Sequence, residues 1–139
     1  MLMIIGLLAP KRPGYSYSAQ SRANHLIQHT VLRDASTTQK GQWQVEVDLV
    51  DGRLPTSEEL EFLAKSLAKK AGGYDVYERF FFEFYFPGMA TKNGGSRTAY
   101  GLVKLDPGER SSPFVRIFAD NSNNWPERFQ SLPVPMGNW

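Results

Sequence analysis

The sequence predicts an α+β domain: a single, mostly antiparallel sheet of five to six strands with one main α-helix packed on one face, in the order ββαβββ. Three observations predict it. Residues 77–86 form an aromatic run, closed by Pro87-Gly88, that reads as one long strand. Residues 42–50 alternate, with Trp43, Val45, Val47 and Leu49 on one side and Gln44, Glu46 and Asp48 on the other, as a half-buried strand does. Between them, Leu60, Leu63, Ala64, Leu67, Ala68 and Ala71 recur at helical spacing.

Taken in order, residues 1–10 (MLMIIGLLAP) are apolar but far too short to span a membrane. No positive n-region precedes them and Lys11-Arg12-Pro13 follows directly, which is a poor signal peptide. A short buried strand at 3–8 is the reading, and the cytoplasm is favoured; the remnant of an export or anchoring segment is the alternative. Residues 11–22 form a polar loop around Pro13-Gly14. Residues 24–33 make a strand or a short helix. His25 and His29 are four apart, but two histidines with no Cys and no carboxylate placed beside them fall short of the three or four ligands of a transition-metal site. No metal and no cofactor is therefore expected.

The helix opens at Pro55-Thr56-Ser57-Glu58-Glu59, where Thr56 as N-cap and Glu59 three residues later give the capping-box pattern. Acidic residues in the first turn suit the helix dipole, and Gly72-Gly73 ends the helix. On the aromatic strand, Phe80, Phe82, Phe84 and Phe86 share one face with Val76 and Glu78, and this face is assigned to the core. Tyr77, Arg79, Phe81, Glu83 and Tyr85 share the other. Residues 97–105 and 113–119 supply two more strands, so the last three make an antiparallel meander. Residues 125–139 (WPERFQSLPVPMGNW) are either an arm packed on the domain or a tail that a partner orders. The division expected is an N-terminal strand and loop arm over 1–23, an α+β core over 24–120 and a Pro- and aromatic-rich C-terminal arm over 121–139.

Composition bounds the function. At 139 residues the chain is one domain with arms, and 41% hydrophobic with 13% aromatic content supports a core and argues against disorder. The absence of Cys excludes disulfides and thiolate catalysis. Sixteen basic against 14 acidic residues leave a net charge of +2, too balanced to point to nucleic acid. Asn93-Gly94-Gly95-Ser96 lacks the Lys-Ser/Thr and the helix of a phosphate-binding loop, and no serine sits in a nucleophile elbow. The single acidic constellation that can be built joins Glu46, Asp48 and Glu83, and it requires the two strands flanking the helix to be neighbours.

The run Phe84-Tyr85-Phe86-Pro87-Gly88-Met89, followed by a glycine-containing turn and Arg97-Thr98-Ala99-Tyr100, resembles the F-Y-x-P-G-M motif of small uncharacterised bacterial domains. The resemblance covers one strand and turn, and by element order residues 43–119. It implies a bacterial or phage origin and brings no activity and no functional residue with it.

With no catalytic arrangement standing out, the expectation is a non-catalytic binding module of adaptor or inhibitor type. Tyr77, Arg79, Phe81, Glu83 and Tyr85 on the second strand face, with Trp125 and Trp139 in the C-terminal arm, would engage a protein partner, as Tyr, Trp and Arg do at interfaces. A homodimer pairing sheet faces or edges is equally compatible. The alternatives are a hydrolase-like enzyme using the carboxylate cluster, and a single-stranded nucleic-acid binder in which Lys104 and Arg116 join the aromatic face. Glu83 in the middle of that face disfavours the last.

Overall fold

The computed structural model describes residues 26–92, 99–106 and 113–135. The strand expected at 3–8, the loop at 11–22, His25 and Trp139 lie outside these residues.

One five-stranded sheet organises the domain, with strands in chain order: β1 (His29–Asp34), β2 (Lys40–Val47), β3 (Arg79–Tyr85), β4 (Gly101–Leu105) and β5 (Phe114–Ile117). The main helix, α1 (Ser57–Lys70), connects β2 to β3 and packs against β4 and β5. The chain is thus α+β with a single sheet and the main helix on one face. The sheet is mixed, however, because β2 and β3 run parallel while the other three neighbouring pairs are antiparallel. The cause is the connection. A helix between two adjacent strands carries the chain back to the starting end of the sheet, so the second strand runs the same way as the first. The expected ββαβββ order is also interrupted by short helical segments. These are a 3₁₀ turn at Gly73–Asp75, α2 (Met89–Lys92), a 3₁₀ turn at Ala119–Asn124 and α3 (Glu127–Gln130).

The helix starts as its sequence dictates. Thr56 caps it by accepting from Glu59 N at 3.2 Å, and the Glu59 carboxylate accepts from Thr56 N at 2.8 Å. Leu60, Leu63, Ala64 and Ala68 are buried against the sheet. The facing side of the sheet is a ladder of stacked rings. Phe80, Phe82 and Phe84 follow one another at 6.3 Å, and Trp43 of β2 stacks on Phe82 at 5.2 Å. Gly41 sits so close beneath this ladder that a Cβ there would lie 2.6 Å from the Trp43 ring.

The strand is shorter than the aromatic run. Val76 and Glu78 precede it in the connection from α1, and Val76 is 52% exposed, so neither belongs to the core face. At the other end Pro87-Gly88 turns the chain, with Gly88 at φ 82, and Met89 packs back on the core. The aromatic segment after β5 also folds back. Phe129 stacks on Phe86 at 4.0 Å, and Trp125 lies 5.2 Å from Tyr100 while donating to Ala99 O at 3.2 Å. Trp125 and Phe129 are thus in the core, with Leu132 and Val134 packed against it, while Glu127, Arg128 and Gln130 are exposed.

Candidate binding surface

The sheet face turned away from α1 carries every second residue of β2 to β5, while a bulge between Val31 and Arg33 breaks the alternation in β1. Register sets its rows. Gln42, Phe81, Lys104 and Phe114 lie side by side across β2, β3, β4 and β5. The next row is Gln44, Glu83, Leu102 and Arg116, and Lys40 pairs with Arg79 at the end where β2 and β3 begin.

The two ends of this face differ. At the end where β3 finishes, Tyr85, Ala90, Ala99 and Phe118 form a small second core, with Leu32, Met89 and Leu102 packed on it. The segment after β3, including α2, covers the sheet there. At the opposite end nothing among the described residues covers it. Phe114 is 50% exposed and Phe81 half-buried. The Lys40 and Lys104 ammoniums, one from each neighbouring strand, lie 5.6 and 5.9 Å from the centre of the Phe81 ring, and Lys104 also lies 5.5 Å from that of Phe114. Such contacts hold cations over apolar rings at small cost in hydration. A cleft of about 290 Å³ opens at this end, lined by Lys40, Arg79, Phe81, Lys104 and Asp106 together with core residues. Among the described residues no carboxylate lies within ion-pair distance of Lys40, Arg79 or Lys104.

The residues singled out in the sequence are distributed as follows. Arg79, Phe81 and Glu83 share the open face. Glu83 accepts from Gln44 Nε2 at 3.3 Å and from the Tyr85 hydroxyl at 3.4 Å. Tyr85 points to the same face but is fully buried by the second core, and burial, then the charge and hydrogen bond of Glu83, push its phenol well above the usual range. Tyr77 precedes β3 and turns to the other side, its ring edge-on to Trp43 at 5.7 Å and to Phe80 at 5.7 Å. Trp125 is 3% exposed within the main core. Neither Tyr85 nor Trp125 offers its ring to solvent.

The carboxylates meet part of their condition. β2 and β3 are neighbours, and Glu46 and Glu83 stand diagonally on one face. Glu46 accepts from Gly88 N at 3.0 Å. Asp48 lies beyond the end of β2, where it accepts from Leu49 N at 2.7 Å. A cavity of about 550 Å³ at that corner is lined by Glu46, Asp48 and His29, without Glu83. The three acids thus do not converge. His29 places Nδ1 3.0 Å from Ile27 O, and among the described residues no group of three or more His, Asp or Glu is placed to share a metal ion.

Two members of the surface, Lys40 and Phe114, were not picked out from the sequence. Both follow from alternation carried one step further: Lys40, Gln42, Gln44, Glu46 on β2, and Phe114, Arg116, Phe118 on and beyond β5. Among the described residues no helix is long and apolar enough to cross a membrane. Comparison with protein-family models, with curated proteins and with solved structures finds no match to the chain.

Proposed function

We propose that the protein is a non-catalytic binding module and that the uncovered end of its open sheet face docks an acidic, partly apolar segment of a protein partner. One observation carries this reading: Phe81 and Phe114 are accessible beside three cations that have no carboxylate partner among the described residues. Aromatic rings give contact area at low conformational cost, and uncompensated charge selects a partner of opposite sign. Single-stranded nucleic acid fits less well. Tyr85 on the same face is buried, which leaves few rings on which successive bases could stack, and Glu83 in the next row opposes a phosphate backbone running along the strand.

A photo-crosslinking phenylalanine analogue placed at position 114 tests this in lysate of the source organism, with the analogue at Lys65 on the exposed helix surface as control. One protein crosslinked at 114, absent at 65 and lost in Lys104→Glu, is expected. Equal adducts at both positions, or adducts to nucleic acid, would overturn the reading.

A further inference from the structure

Among the described residues, the cleft at this end of the open face carries more positive than negative charge. Its described lining holds the cations Lys40, Arg79 and Lys104 and one carboxylate, Asp106, so that two positive charges are in excess among these residues. The cations come from three different strands, at the start of β2, the start of β3 and the end of β4. Phe81 stands between the two lysines. A side-chain carboxylate would compensate one of the two charges. A phosphate monoester carries about −1.5 to −2 at neutral pH and presents three acceptor oxygens, enough to meet two ammoniums and a guanidinium at once. A volume of about 290 Å³ leaves room for that group and the carbons next to it.

Resting on the docking reading above, we propose that this cleft receives the phosphoryl group of a phosphorylated side chain on the partner protein. The lysines hold the phosphoryl oxygens as point charges. Arg79 supplies the planar, two-pronged donor pair that phosphate favours. The Phe81 ring lies against the apolar stem that carries the phosphate.

The test is a nuclear magnetic resonance titration of the full chain with phenyl phosphate at pH 7.5 and constant ionic strength. Benzenesulfonate, inorganic phosphate and an oligodeoxynucleotide without a terminal phosphate are run in parallel. Phenyl phosphate is expected to shift the amides of Lys40, Arg79, Phe81 and Lys104. It should bind about fivefold more tightly than the singly charged benzenesulfonate, the value of one further charge near a cation in water. A Lys40→Gln/Lys104→Gln variant should lose the effect while a Lys69→Gln/Lys70→Gln variant keeps it. Equal binding of benzenesulfonate, shifts spread over the helix lysines, or a preference for the oligonucleotide would overturn the proposal. Inorganic phosphate binding as tightly as phenyl phosphate would overturn the side-chain source. If a protein still crosslinks at position 114 while phenyl phosphate fails to bind, the phosphoryl inference falls and the docking reading stands. If phenyl phosphate binds but no protein crosslinks, the docking reading falls, and the partner as source falls with it.

Discussion

Replacing Glu59 with alanine should cost about 3 kcal/mol of stability, far more than a polar residue near a helix start usually carries. The carboxylate is fully buried and accepts three hydrogen bonds: from Arg53 Nη1 at 2.9 Å, Arg53 Nη2 at 2.8 Å and Thr56 N at 2.8 Å. Truncation leaves the buried Thr56 N–H without this acceptor, worth about 1–3 kcal/mol. Loss of the two-pronged pair adds about 1 kcal/mol; the Arg53 side chain is 28% exposed and can turn to water, which keeps this below the cost of a fully buried pair. Glu59→Gln keeps the shape and one acceptor and should cost about 1–2 kcal/mol. The two variants also differ from the native chain in pH dependence. Burial pushes the Glu59 carboxyl up, but hydrogen bonds from Arg53 and Thr56, with the Arg53 charge, outweigh it and hold the group below its ordinary value. A folded pKa below the unfolded one stabilises the native state at pH values above the ordinary 4.5, and this is lost as pH falls through the depressed value. The gap between the native chain and Glu59→Gln should therefore be widest near neutrality and close as acid is added. Urea unfolding followed by the fluorescence of the buried Trp43 and Trp125 measures both quantities. A cost below about 1 kcal/mol for Glu59→Ala, or a gap that does not change with pH, would refute the assignment of this group as the anchor of the helix start.

Neighbours on β3 should separate stability from binding. Phe82→Ala empties a fully buried position in the ring ladder and should cost about 3–5 kcal/mol, whereas Phe81→Ala on the half-buried face should cost about 1 kcal/mol and abolish crosslinking at position 114; urea midpoints and the crosslink measure the two effects. Gly41→Ala forces a methyl group to 2.6 Å from Trp43 and 2.9 Å from Phe80, both held in the core, and should destabilise by about 1–3 kcal/mol with a change in near-ultraviolet circular dichroism from the displaced indole.

Local chemistry is legible along the chain. Alternation gave β2 and the two faces of β3, because successive side chains on a strand point opposite ways whatever lies beside them. Thr56, Glu59 and the spacing of leucine and alanine gave the helix and its cap, because those bonds close within one turn. Arg79, Phe81 and Glu83 were legible as one face for the same reason. Other features rest on contacts between distant segments and are not written in any one stretch of the chain. The parallel pairing of β2 with β3 follows from a helix crossing over the sheet, not from any residue in either strand. The burial of Tyr85 depends on Met89, Ala90 and Phe118 arriving over one end of the face, and the burial of Trp125 depends on the chain returning to Tyr100 and Phe86. The meeting of Lys40, Arg79 and Lys104 depends on the register of three strands, and a slip of one residue in any of them would turn its cation to the other face.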